Sequence, residues 1–403
     1  LAKGWARKNV FEYNRDYVKT GIMSRKEWDF YNITDGKMQM LISFANINVG
    51  GYVAAKLVDL KTGEVIIDAM EYFLGGKKHV PPAKGEAVNR FKDKIGGAEF
   101  DFNTKETERT LYFKFNYKGK PVECNFKMDI MPGLENITTV LPFKNMPTRY
   151  FMTTKQNCMP CEGSYKFGDD VYEFSKEDTF CILDWGRVNT PYSMVWYWCN
   201  GTTYLTDKNG QKHIFGVEAT WAIGDESHAT ETCIFYDGKV RKVGAVDLEV
   251  FPKPDKYMQP WKFVSEDNRF NLVMEPVFDH HTDINAAVMR MHCHQVCGKC
   301  SGNVILDEYG IKATFFVIGV NIRNYPEPLA LIKAAGHEIA NHSFSHDNSN
   351  DLDASSAIGE MRRCEELILE RVGVKPKLFR PPRGANNADV ERAAREMGYS
   401  VVL

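Results

Sequence analysis

The chain of 403 residues has no apolar run near the ~20 residues that cross a bilayer; among the longest is Thr314 to Val320, which reads as a buried strand. No membrane span is expected. Cysteine is scarce, with ten spread over the whole length, far below disulfide-scaffold density, so reduced thiols are the default. Charge of one sign is also missing: 51 Lys plus Arg stand against 53 Asp plus Glu, a net charge of -2. No overall positive field exists to hold a phosphate backbone, and nucleic acid is not an expected partner. Pro (17) and Gly (31) are at ordinary levels, with no low-complexity tract and no internal repeat, which excludes extensive disorder and solenoids. The first residue is Leu1, and no charged start with an apolar stretch follows it, which favours a soluble, cytoplasmic protein.

What is present is a large apolar and aromatic fraction, 43% and 12%, enough for two or three domains at roughly 150 residues each. From Met38 to about Val304 the hydrophobic period is two. Leu111, Phe113, Phe115 and Tyr117 alternate with polar neighbours, a YKGKP turn follows, and Val122, Cys124, Phe126, Met128 and Ile130 alternate again, which predicts a β-hairpin. Residues 1–304 therefore read as an all-β domain that closes into a barrel or sandwich to remove its edges.

After Leu306 short apolar strands alternate with helical stretches. The segment Ala313 to Ile318 is a strand, Pro326 to Ala335 a helix stopped by Gly336, and Ile358, Met361, Cys364, Ile368 and Val372 fall on one helical face. Residues 305–403 read as about half of a parallel α/β unit.

In that C-terminal part His342 and His346 lie four apart in HSFSH, where two imidazoles can share a borderline divalent cation such as Zn²⁺ or Co²⁺. Alone, such a pair is as well explained by two loop histidines bonded to carbonyls or water. The strings around it are GIKATFFVIG, GHEIANHSFSH, LFRPPRGANN and GYSVVL, in that order from Gly310 to Leu403. Together they resemble the NodB-homology polysaccharide deacetylases, carbohydrate esterase family four. The resemblance implies a parallel α/β barrel, metal binding by His342 and His346, an aspartate-orienting role for Arg380, and an oxyanion donor at the backbone N–H of Arg383. It implies removal of acetyl groups from a polysaccharide or small acetylated glycan by metal-activated water.

The chain departs from that family in two places. The TFDDG string, whose acids supply the base and the third metal ligand, has no counterpart before ATFF; its place reads MHCHQVCGKCSGN, with Asp307 and Glu308 the nearest acids. The sequence also ends at Leu403, before the later family motifs. Deacetylase lineage and deacetylase activity thereby become separate expectations.

Residues 4–302 resemble an uncharacterised, mainly bacterial lipocalin-like domain family through RKEWDFYNI, NCMPCEG, LDWGRVNTPYSMVWYW, GDESHATE, FYDGK, MEP and HQVCGKCSG. The whole then reads as a chimaera of two domains. Asp184, Trp185, Arg187, Trp196, Tyr197 and Trp198 combine groups suited to a pocket for an apolar or amphipathic ligand, or equally to sheet core. The polar string Asp225, Glu226, His228 and Glu231 suits either a site or a solvated turn. Cys158/Cys161 and Cys297/Cys300 form two CxxC pairs, but 139 positions separate them and strand alternation splits each pair, which favours small buried thiols over a zinc site. Three functions follow: a metal-dependent deacetylase, a β-domain binding an apolar ligand beside a vestigial deacetylase fragment, or a product without activity.

Overall fold

The computed structural model describes residues 3–403 apart from 12, 19–20, 22–23, 75–86, 93–97, 228, 251–255, 287–288, 307–312, 335 and 385–386. The chain divides into two compact units, Leu1–Leu306 and Asp307–Leu403. Asp307, Glu308 and His228 lie outside the described residues.

The N-terminal unit is built from antiparallel sheets. The expected hairpin forms between Glu108–Tyr117 and Lys120–Asp129, with Lys118 and Gly119 both at positive φ in the turn, the backbone that matches the twist of the paired strands. Its alternating Leu111, Phe113, Val122, Cys124, Phe126 and Met128 are buried in the main core. The hairpin belongs to a 13-stranded sheet that curls into a half-barrel, bringing Phe44 within 5.1 Å of Phe100 and 6.1 Å of Phe102, ring centre to ring centre. The two ends of its strand path, Glu64–Leu74 and Ala87–Lys92, do not pair with each other among the described residues.

One strand, Met146–Phe167, organises this sheet. Its first part pairs with Ile137–Phe143 and Phe180–Asn189, and its last part with Lys120–Asp129 and Asp170–Phe174. The register shifts between Gln156 and Met159, where Cys158 takes φ +61°, a bulge that re-aims the strand. Two four-stranded sheets complete the unit. One contains Tyr197–Thr206 and Lys212–Trp221; the other contains the long hairpin Phe270–Ala286 with Met289–Val304.

The C-terminal unit carries four parallel strands in chain order: Thr314–Val317, Glu338–Asn341, Leu378–Phe379 and Ser400–Val401. The connecting helices cover them. Helix Ala354–Val372 starts where the Asp353 side chain accepts from Ser356 N, and stops at Gly373 in the left-handed conformation. Its buried stripe is Ala357, Met361, Cys364, Ile368 and Val372; Ile358, expected on that stripe, is only partly buried because Ala357 occupies the inward position. No described helix is long and apolar enough to cross a membrane.

Candidate functional site

In parallel α/β sheets, ligands collect beyond the carboxyl ends of the strands. His342 follows directly on strand Glu338–Asn341 and Arg380 on strand Leu378–Phe379, so the sheet delivers both motifs to the same end. His342 Nδ1 donates to the Arg380 carbonyl at 2.6 Å. A carbonyl only accepts, so this bond fixes the tautomer and leaves Nε2 with its lone pair. Burial pushes the His342 pKa below its usual value, against the opposing effect of that bond, and keeps the ring neutral. The His346 ring stands 4.9 Å away at 70° to it.

The loop holding these rings is braced from three sides. Asn341, fully buried, donates to Met361 O and to the Tyr399 hydroxyl and accepts from Ser343 N at 2.9 Å. Glu360 on the long helix accepts from Phe344 N at 3.1 Å, Ser345 N at 2.7 Å and the Ser345 hydroxyl at 2.7 Å. Gly319 lies so close that a Cβ there would meet Phe344 Cδ2 at 2.5 Å, so only glycine lets the preceding strand end approach the loop. Ser343, His346 and Arg383 all have positive φ, at +68°, +64° and +60°. Three non-glycine residues in this conformation within two adjacent motifs mark backbone held in place by its surroundings.

Arg380 lays its guanidinium over Phe316 at 4.3 Å, and its Nε is buried with no hydrogen-bond partner among the described residues. The exposed Arg383 turns its chain at Pro382–Gly384. The two imidazoles suit a borderline cation, but among the described residues no third His, Cys, Asp or Glu joins them within ligand reach. The donor set among the described residues is therefore incomplete for the hydrolytic metal that the resemblance implies.

In the N-terminal unit the six pocket residues inferred from sequence part into different surroundings, with Tyr197 stacked on Trp221 at 5.4 Å. Asp184 and Trp198 do meet, in a buried charged cluster centred on Lys155. Lys155 Nζ lies 2.7 Å from Asp184 Oδ1, 3.6 Å from Glu231 Oε2 and 4.3 Å from the Trp198 ring centre. Trp198 Nε1 donates to Glu218 Oε2 at 2.7 Å, and Asn157 Nδ2 donates to Glu218 Oε1 at 3.0 Å. Burial raises the Glu218 pKa to about 8, with Lys155 opposing, and raises that of Glu231 too. Trp185 and Arg187 point to the other face of the strand, as alternation requires: Arg187 donates to Asp29 Oδ1 at 2.9 Å and stacks on Trp185 at 4.1 Å. Trp196 is 44% exposed.

The remaining sequence candidates disperse. Asp225 accepts from Ser227 N in a local turn and Glu226 from Ile223 N, while Glu231 turns inward to Lys155. Cys158 packs with Ile137, Cys233 and Phe235, Cys161 joins the main core, and Cys297 donates to Gln39 Oε1 at 3.1 Å, so the four thiols do not converge. Lys155 and Glu218 were not legible as site residues. The available signal was a lysine inside the strand-forming run YFMTTKQNCM and a glutamate within GVEATW.

The family model described as domain of unknown function (DUF2804) matches residues 1–320, and the polysaccharide deacetylase model matches residues 303–402. An uncharacterized protein, YlxY, of Bacillus subtilis (strain 168) is 38% identical over 99 residues, 25% of this chain and 31% of the relative. Chitin deacetylase 1 of Cryptococcus neoformans var. grubii is 35% identical over 98 residues, covering 24% and 21%. A peptidoglycan-N-acetylglucosamine deacetylase of Bacillus cereus is 31% identical over 97 residues, covering 24% and 35%. The chain thus spans 21% to 35% of the length of these relatives. Among solved structures, peptidoglycan deacetylase PdaC from Bacillus subtilis is 32% identical, covering 23% of this chain and 45% of its own at a TM-score of 0.21. A carbohydrate esterase family four pseudoenzyme from Bacillus anthracis is 25% identical, covering 23% and 33% at a TM-score of 0.23.

Proposed function

This chain belongs to the DUF2804 family, a domain of unknown function, and from that premise we propose that its chemistry lies in the C-terminal unit, as a polysaccharide-deacetylase-type module that recognises acetylated carbohydrate. The observation that carries the reading is the 2.6 Å bond from His342 Nδ1 to the Arg380 carbonyl, which ties the HSFSH motif to the RPPRG motif at the carboxyl ends of adjacent parallel strands. His342 and His346 present their imidazole nitrogens to the ligand. The backbone N–H of Arg383, in its left-handed turn, is the donor for the acetyl oxygen.

The base is what this set lacks. Arg380 Nε, buried without an acceptor, is where the resemblance implies an aspartate, and none of the described residues supplies one. Missing general-base catalysis costs roughly 10²–10⁴-fold in rate. The module is therefore proposed to bind acetylated sugar without turning it over.

Calorimetric titration of the full chain with acetylated chitooligosaccharides tests recognition. Binding weakened at least tenfold by His342→Ala/His346→Ala is the expected result. Equal affinity of parent and variant, or no binding by the parent, would remove the reading. Trp185, Trp196 and Trp198 face three different environments, which does not favour a shared pocket for an apolar ligand.

A further inference from the structure

We propose that the hairpin Phe270–Ala286/Met289–Val304 binds a zinc-class divalent cation through its exposed residues His281, Asp283 and His292. This site lies in the N-terminal unit and is independent of the His342/His346 pair.

The register creates it. His281 pairs with His294 and Asp283 with His292, and Asp279 lies two residues before His281, so all five side chains stand on one face of the two-stranded ribbon. Cys293, between the two histidines of its strand, belongs to the other face, which is why the cysteine-rich string does not make this site. One ligand atom from each of His281, Asp283 and His292 lies within 4.8 Å of the others. Around a tetrahedral zinc, neighbouring donors sit about 3.4 Å apart, so closure needs side-chain rotation on the order of 1 Å. The side chains are 46%, 51% and 75% exposed and free to make it.

Asp283 already bridges the two rings, with Oδ2 3.3 Å from His281 Nε2 and Oδ1 in contact with His292 Nδ1. A cation replaces those two proton-mediated contacts with metal–ligand bonds. Orientation comes from ring contacts and one carboxylate. His294 lies parallel to His281 at 4.3 Å and 6°, the Tyr257 ring stands 4.1 Å from His294 at 36°, and His294 Nδ1 bonds Asp279 Oδ2 at 2.9 Å. This support holds the His281 ring much as outer-shell carboxylates hold metal-binding histidines. Two imidazoles and one carboxylate select a borderline cation over Ca²⁺ or Mg²⁺, and three protein ligands leave a position for water.

The test is Zn²⁺ titration of the chelator-treated full chain against a competing fluorescent chelator, with Co²⁺ absorption as a second readout of coordination. The expected result is Zn²⁺ binding retained by His342→Ala/His346→Ala and lost by Asp283→Asn/His292→Ala, whose circular dichroism stays that of the parent because both positions are exposed. The positioning variant His294→Ala is expected to weaken binding by roughly 10–100-fold without abolishing the Co²⁺ spectrum. Zn²⁺ affinity unchanged in Asp283→Asn/His292→Ala would overturn the proposal. So would loss confined to the His342→Ala/His346→Ala variant, or absence of any binding by the parent chain.

Discussion

Lys155 faces three carboxyl groups at once, those of Asp184, Glu231 and Glu218, and all four side chains are buried. Removing one partner of such a cluster leaves uncompensated charge, so Lys155→Met is expected to cost about 3–5 kcal/mol. The midpoint of urea unfolding of the full chain, followed by tryptophan fluorescence, measures this. Glu218 gives the cluster a pH dependence, since burial raises its carboxyl from 4.5 to about 8. Its folded form holds a proton that the unfolded form loses near 4.5, so its contribution is complete below that pH. The contribution falls as pH rises through the window up to about 8. Facing it are Lys155, Glu231, Asp184, Trp198 and Asn157. The pH slope of the urea midpoint between 5 and 8 should therefore be shallower in Glu218→Gln than in the parent. Parallel slopes would show that Glu218 is ionised throughout.

At the scale of elements, loops and strands hold the sites. Glu360 gives the HSFSH loop three hydrogen bonds from a neighbouring helix, two of them to backbone amides. Bonds to a charged acceptor contribute about 1.5–3 kcal/mol each, with losses partly shared by water, so Glu360→Ala should destabilise the unit by about 2–3 kcal/mol. Faster hydrogen exchange at Phe344 and Ser345 is the specific sign. In the other unit Gly186 lies under Trp28, where a Cβ would meet the indole at 2.1 Å. Gly186→Ala should cost about 1–3 kcal/mol and shift the fluorescence of Trp28, whose Nε1 donates to Asp184.

These elements also show what a linear reading captures. Alternation at Leu111–Phe115 and Val122–Met128 predicted both a hairpin and its buried face, because period and turn chemistry are local. The stripe Met361, Cys364, Ile368 and Val372 was legible for the same reason. The Lys155 cluster was not, since Lys155, Asp184, Glu218 and Glu231 come from different parts of the chain and meet only through sheet packing. The hairpin ligands fell between the two cases. DHHTD and MHCH are visible as strings, but only the register pairs Asp283 with His292.

On the scale of the molecule, a DUF2804 unit that is mostly β precedes a unit of deacetylase lineage in one chain. The parallel strands bring His342 to the Arg380 carbonyl, while the described residues offer no third ligand beside His342 and His346. Placement and chemistry thus part company at the two acids that the resemblance implies and that the described residues do not supply. The most direct measurement is acetate release from acetylated chitooligosaccharides and acetylated xylan by the full chain supplied with Zn²⁺ or Co²⁺, beside His342→Ala/His346→Ala. The account predicts no acetate above the level of the double variant, together with sugar binding by the parent. Multiple turnovers by the parent that disappear in the double variant would contradict it, and would mean that a carboxylate of this chain serves as base.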